Sequence, residues 1–130
     1  PTGKHIMSIF VQYAPYTLSN GRNWDDIKDA WVETCINTLQ EFAPDIREKI
    51  LFTHAMTPLD LERTYGLTGG NIMQGAMHVH QLGPSRPLLG WSDHRTPVTN
   101  LFICGAASHP GGGVMGACGR NAASVILQDL

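Results

Sequence analysis

The sequence predicts an α/β fold, present as an α+β fragment, and three patterns carry this prediction. A continuous apolar run, Leu101–Cys104, precedes a glycine-rich turn and a helical repeat, as expected of a strand buried in a parallel sheet. Apolar residues alternate with polar ones over Ile6–Tyr13, and they recur at helical spacing from Ile27 to Phe42. Strands alternating with helices indicate the mixed class.

The first quarter of the chain is predicted to form a strand and then a long helix. Ile6–Tyr13 has a period near two and is interpreted as a half-buried strand. Asn23 is a good N-cap for a helix whose apolar stripe should pack against a sheet and which should stop before Pro44. Ile50–Met56 is predicted to be a second strand.

A short helix, a third strand and a long loop should follow. Thr57 can cap the helix, Pro58 suits its first position and Gly66 suits its end. Ile72–Leu82 alternates again and predicts a strand. Gly83–Asn100 contains three prolines and no clear period, which indicates a loop.

The last thirty or so residues predict one strand-turn-helix unit of a doubly wound sheet. Leu101–Cys104 is the strand, and residues 114–125 mark the helix, in which Gly116, Gly119 and Ala123 are small. Interior glycines cost up to about 1 kcal/mol each, so a close neighbour is expected. The organisation of the chain therefore changes once, near Asn100, from mixed strands and helices to this unit.

Composition excludes some partners and suggests a compartment. The net charge of −2 gives no basic footprint for nucleic acid, and no apolar run approaches the length of a membrane helix. The cysteines are three, form no CxxC pair, and lie in apolar patterns typical of reduced thiols. We expect an intracellular protein, cytoplasmic if bacterial and in the mitochondrial matrix if eukaryotic. The absence of an initial methionine suggests a piece of something longer.

The turn Gly105–Gly116 is the strongest candidate site. A strand, glycines and then a helix direct backbone N–H groups and the positive end of the helix dipole at an electron-rich ligand. Three consecutive glycines, Gly111–Gly113, allow a ring or pyrophosphate to approach the backbone. The same glycines are also typical of a tight turn without any ligand.

The segment Leu101–Ala123 resembles the carboxyl-terminal flavin motif of phytoene-desaturase-like, FAD-dependent oxidoreductases. The resemblance continues upstream through Gln12–Leu18, Thr57–Arg63 and Gly69–Ile72, so it covers nearly the whole chain. It implies a Rossmann-like FAD domain interrupted by a substrate domain, with the last strand and helix returning to complete the FAD domain. It identifies this chain as a carboxyl-terminal fragment, in which residues 1–100 are a partial substrate domain and residues 101–130 are the carboxyl-terminal strand-turn-helix of the FAD-binding domain.

The resemblance also implies roles for individual residues. Gly105 and Ala106 should lie near the ribityl-phosphate side of FAD. Gly113, Val114 and Met115 should present N–H groups to the N1/C2=O edge of the isoalloxazine, where negative charge develops on reduction. The full set of expected cofactor-binding residues is Gly105, Ala106, Gly112, Gly113, Val114, Met115 and Ala117. No catalytic side chain is assigned.

Two departures from the flavoprotein pattern limit this interpretation. Many flavoproteins have an acidic residue after the strand-ending glycine, where this chain has Ala106. The amino-terminal GxGxxG fingerprint is absent from the sequence. We therefore expect the chain alone to hold FAD poorly, with FAD bound in the intact parent.

Several polar residues have competing interpretations. His109, Asn71 and His78 are candidates for lining a substrate cavity. His78 and His80 are also possible metal ligands together with His54, His94 or His109, but without adjacent acidic residues ordinary strand histidines are the better interpretation, and no metal is assigned. Ser108–His109 lacks a nucleophile elbow. Arg86 and Arg95 could contact substrate or a partner domain, but solvated surface is the better interpretation.

Two function classes stay open. The first is an FAD-dependent oxidoreductase that transfers hydride between flavin and a C–C bond of a hydrophobic small molecule, the rest of its FAD domain being the partner of this chain. The second is a non-catalytic interaction module that packs against an FAD domain or forms a homo-oligomer, since the strand Leu101–Cys104 has unpaired edges.

Overall fold

The structure, a computed structural model, describes residues 2–129. The α-helices among these residues are α1 (Trp24–Phe42), α2 (Ile46–Lys49), α3 (Pro58–Tyr65) and α4 (Ala117–Gln128). Short 3-10 helices cover Ser19–Gly21, Thr68–Gly70, Val79–Gln81 and Gly83–Ser85. Contacts divide the chain into two compact units, the first ending at Gly70 and the second beginning at Asn71. The predicted split into residues 1–100 and 101–130 concerns a longer protein and stays a prediction.

The predicted strands are not formed, so the helical part of the α/β prediction holds and the sheet does not. Ile6–Tyr13, Ile50–Met56 and Leu101–Cys104 run without regular strand pairing, and Ile72–Leu82 is a series of turns. Within residues 2–129 the only β-type pairing is an isolated antiparallel bridge between Arg95 and Phe102.

The physical reason is that a strand exists only through its ladder partners. In a strand, every backbone N–H and C=O must find an acceptor or donor outside its own segment. The alternation of apolar and polar residues along one segment does not indicate which other segment will pair with it. Leu101–Cys104 finds a single short stretch of the preceding loop, where the Ile103 N–H donates to the His94 carbonyl at 2.9 Å. The apolar run therefore predicts burial in a sheet that the described residues do not supply.

Helix α1 begins where the sequence predicts. The Asn23 side chain accepts a hydrogen bond from the Asp25 N–H at 3.0 Å, which satisfies one of the free amides of the first turn. Trp24 is buried, donates from Nε1 to the Pro15 carbonyl at 3.0 Å and meets Trp31 edge-to-face at 5.3 Å between ring centroids. The helix ends at Phe42, before Pro44, as predicted.

Helix α3 has the predicted ends at both sides. Thr57 and Asp60 form a reciprocal capping box, Pro58 occupies the first turn, and Gly66 ends the helix in the left-handed region at φ 68°. Asp60 also pairs with Lys28 of α1 at 2.9 Å, so the cap is linked to the neighbouring helix.

The second unit is built around α4 and the loops before it. Cys118 and Ala122 are buried on one face of α4, while Val114, predicted to lie on this helix, belongs to the preceding turn and is fully exposed. Gly83–Asn100 is irregular, as predicted. None of the helices described here is both long and apolar enough to cross a membrane.

Candidate functional site

The glycine-rich turn and the start of α4 enclose a shallow cavity of about 160 Å³. Its lining residues are Cys104–Ala106, Gly111–Gly113 and Met115–Gly119. Six of the predicted cofactor residues are in that wall: Gly105, Ala106, Gly112, Gly113, Met115 and Ala117. Val114 is not, because its side chain points entirely into solvent. These six residues thus lie around one cavity, and their role in cofactor binding stays a prediction.

Three carbonyl groups of this turn accept hydrogen bonds from side chains. Ser108 is buried and donates from Oγ to the Gly105 carbonyl at 2.8 Å, and the Cys118 thiol donates to the Gly111 carbonyl at 3.1 Å. Arg86 donates to the Ala106 carbonyl at 2.7 Å. Three side chains from different parts of the unit thus fix the turn.

Several backbone N–H groups of the turn, unlike these carbonyls, have no backbone partner among the described residues. Among the described residues, the N–H groups of Gly112, Gly113 and Val114 donate to no backbone acceptor. The Met115 N–H, one of the predicted flavin donors, instead donates to the Gly113 carbonyl at 3.0 Å. Gly113 and Val114 are the two predicted donors that stay available.

Helix α4 contributes its uncapped end to the same cavity. Its N-cap, Gly116, has a left-handed backbone at φ 65° and no side chain to accept from the first turn. The first turn of any helix has free N–H groups and the positive end of the dipole. Because Ala117–Gly119 line the cavity, the start of α4 contributes positive potential to it.

Close packing at Gly112 explains why the turn needs glycine there. A Cβ built on Gly112 would lie 3.0 Å from the Met73 Sδ and 3.2 Å from the Ala106 Cβ, tighter than ordinary van der Waals contact. The backbone therefore lies directly against its neighbours, with no room for a side chain.

The structure places Arg86 in the interior, and the prediction of a solvated surface residue was wrong. Arg86 is 1% exposed. Besides the Ala106 carbonyl, its guanidinium donates to the carbonyls of Gln81 at 2.7 Å, Met73 at 2.8 Å and Ala76 at 3.3 Å. A signal was present: the segment is rich in proline and glycine, where carbonyls are not used by helices and a five-donor cation can collect them.

The predicted substrate-cavity residues do not gather at the turn. Only His109 belongs to it; its Nδ1 is buried and has no hydrogen-bond partner among the described residues. Asn71 is exposed and folds onto its own loop, accepting from the Met73 N–H and donating to the Gly75 carbonyl. His78 stacks on His80 at 4.9 Å, in a 3-10 turn rather than on a strand.

Two other features bear on the predicted alternatives. Within residues 2–129, no three His, Cys, Asp or Glu side chains converge as metal ligands would. A larger open cavity of about 340 Å³ lies in the first unit and is lined by Lys28, Asp29, Val32, Glu33, Thr53, His54 and Ala55. It includes none of the predicted cofactor residues.

The similarity to known proteins extends over the whole chain. It is 47% identical over 131 residues to pyridine nucleotide-disulfide oxidoreductase domain-containing protein 2 of Rattus norvegicus, covering all of this chain and 22% of that protein. It is 31% identical over 118 residues to a component of the limonene dehydrogenase of Castellaniella defragrans, covering 89% of this chain and 21% of the relative. No family model matches the chain, and no solved structure matches it significantly.

A third relative ties the chain to carotenoid enzymes. Phytoene desaturase (lycopene-forming) of Pantoea ananas is 27% identical over 93 residues, which is 70% of this chain and 18% of that protein. The chain thus spans about a fifth of the length of these relatives. The predicted resemblance is confirmed: along its whole length the chain is similar to part of pyridine nucleotide-disulfide oxidoreductase domain-containing protein 2, and more distantly it is similar to phytoene desaturase.

Proposed function

We propose that this chain is the flavin-contacting part of an FAD-dependent oxidoreductase, and that its glycine-rich turn lies against the pyrimidine edge of the isoalloxazine. One observation carries the proposal: carbonyls of the turn are bound by side chains, while the amides of Gly113 and Val114, near the uncapped start of α4, have no acceptor among the described residues. Such a surface is complementary to an acceptor edge that gains negative charge.

The cavity fits one edge of a ring system and not a whole dinucleotide. A volume of about 160 Å³ is below the 300–1,000 Å³ or so typical of complete ligand sites. The remaining contacts would come from the rest of the FAD domain, in keeping with the missing GxGxxG fingerprint. Gly105 and Ala106, at the other end of the same cavity, would face the ribityl-phosphate side.

The proposed reaction is dehydrogenation, or saturation, of a C–C bond in a hydrophobic small molecule. Bound FAD would supply the hydride acceptor, its N5 position. The chain would contribute fixed dipoles: N–H groups that are already oriented and need no rearrangement as charge develops. The names of the relatives that act on limonene and phytoene support a hydrophobic substrate. His109, Asn71 and His78 stay candidates for its cavity.

Substitutions at Val114 test the proposal in the full-length protein. Val114→Pro removes one of the two free amides, whereas Val114→Ala keeps it and shortens a side chain that contacts nothing. We expect V114P to bind oxidised FAD up to about tenfold more weakly, since one neutral hydrogen bond contributes about 0.5–1.5 kcal/mol, and V114A to bind it normally. FAD titration followed by flavin fluorescence measures both.

The controls for this experiment separate backbone from side-chain effects. Equal loss in V114A and V114P would show that the amide is not the contact. A full-length protein that stays colourless after FAD reconstitution would contradict the proposal as a whole.

A second candidate is an interaction module without catalysis. It is favoured by the surface: 22 large hydrophobic side chains are exposed among the described residues, and only Trp24, Cys118 and Ala122 are buried hydrophobics. Exposed apolar patches of this kind are typical of interfaces. A full-length protein that binds no FAD but forms a defined complex or homo-oligomer would select this alternative.

A further inference from the structure

Arg86 is a buried cation that has no counter-ion among the described residues. Its side chain is 1% exposed, and its recorded partners are four backbone carbonyls, those of Met73, Ala76, Gln81 and Ala106. Among the described residues no carboxylate lies within ion-pair distance of it. Burial of an unpaired charge costs several kcal/mol, so this arrangement calls for a function.

The charge is directly behind the wall of the candidate cavity. Arg86 Nη1 holds the Ala106 carbonyl at 2.7 Å and would lie 3.5 Å from a Cβ built on Gly111. Both Ala106 and Gly111 line the cavity. A single layer of backbone therefore separates the guanidinium from whatever occupies the cavity, and in a buried environment a charge at this range is weakly screened.

The other groups around the turn do not cancel this charge. The hydrogen-bond partners of the guanidinium are neutral backbone carbonyls. The start of α4, on the other wall, adds positive potential. Arg95, the nearest arginine along the chain, differs in being paired with Asp93 and Asp129 and 39% exposed.

We infer that Arg86 is the positioning residue of the glycine-rich turn and a fixed positive charge that favours the reduced, anionic form of the ring bound there. The inference rests on the proposed function and deepens it. Its hydrogen bonds to the Met73 and Ala106 carbonyls tie the cavity wall at Ala106 to the loop before it.

The midpoint potential of the bound flavin in the full-length protein tests the charge. We expect Arg86→Gln to shift the reduction equilibrium at least tenfold toward oxidised flavin, which is about 30 mV for a two-electron couple. The matched control, Arg95→Gln, also removes one positive charge, but an exposed and paired one, and should leave the potential unchanged. An unchanged potential in R86Q, or an equal shift in R95Q, would overturn the inference.

Arg86→Lys keeps the test decisive if R86Q does not fold. A buried lysine loses its proton below its ordinary pKa of about 10.4, while arginine does not. The potential of R86K should therefore fall more steeply than that of the unmutated protein between about pH 7 and 10, a change that a purely structural role would not produce. Parallel pH profiles would overturn the inference.

The two proposals fail in different ways. A colourless unmutated protein overturns the proposed function and this inference together. A yellow unmutated protein whose R86Q and R86K variants keep its potential and pH profile overturns this inference alone.

Discussion

Gly113 is the residue on which the flavin proposal depends most closely. Its φ is 155°, and a Cβ there would lie 3.0 Å from the Met115 Cε, so a branched side chain would strain the backbone and crowd the cavity wall. We expect Gly113→Val to abolish flavin retention in the full-length protein. The ratio of flavin to protein absorbance after gel filtration measures it. Val114→Ala is the control, and full FAD occupancy in G113V would contradict the account of the turn.

At the residue scale, the sequence predicted the glycine-rich turn but not the buried Arg86 side chain that holds it. Glycine at 111–113 has few physical explanations other than close approach or unusual φ, so the lining of the cavity followed from residue type. Arg86 was placed wrongly because its partners are carbonyls of Met73 and Ala106, which lie 13 and 20 positions away. Side-chain identity carries no information about which distant backbone group it will meet.

Among the elements, α3 has the cap most sensitive to pH. The Thr57 N–H and then the Lys28 ammonium, both hydrogen-bonded to the Asp60 carboxylate, lower the pKa of Asp60 from 3.8 to about 2. Because the folded pKa is the lower one, the stabilisation is complete above about pH 4 and is lost as pH falls toward 2. The carboxyl is partly exposed, so we expect about 1–2 kcal/mol.

Hydrogen exchange of the α3 amides in the full-length protein measures this effect. Protection, corrected for the intrinsic exchange rate, should fall between about pH 4 and 2. Asp60→Asn should be less protected at pH 7 and should lack that pH dependence. Equal pH profiles for D60N and the unmutated protein would show that the capping box does not stabilise α3.

Helices were predictable at this scale and strands were not, for one reason. The caps Asn23, Thr57 and Gly66 act on backbone groups within a few positions, so local sequence contains the whole interaction. Ile6–Tyr13 and Leu101–Cys104 have the apolar patterns of strands, but a ladder requires a second segment, and within the described residues only Arg95 pairs with Phe102.

For the whole molecule, the exposed apolar surface leads to a prediction about the 130-residue chain by itself. Exposed Ile6, Phe52 and Leu89 are typical of the 22 large hydrophobic side chains on its surface, and small cores provide little net stability. We expect the isolated chain to be colourless and to bind a hydrophobic dye such as ANS strongly. The full-length protein should bind FAD and little dye. A yellow, dye-silent isolated chain would contradict this.

Family resemblance was a better guide to the whole molecule than periodicity was. The motif Leu101–Ala123 predicted the similarity that the comparisons confirm, whereas alternation predicted a sheet that the described residues do not form. A sequence motif can lie within one segment of the chain. A sheet requires pairing between several segments, and the sequence of one segment does not determine that pairing. The contact boundary after Gly70 likewise had no compositional signal.

The central claim is that the amides of Gly113 and Val114 contact the pyrimidine edge of a bound flavin. A crystal structure of the full-length protein with FAD tests it most directly. We expect N1 or the C2 carbonyl oxygen of the isoalloxazine within about 3 Å of these two nitrogens. A ring bound away from the turn Gly105–Gly116, or the absence of flavin from fully reconstituted protein, would contradict the claim.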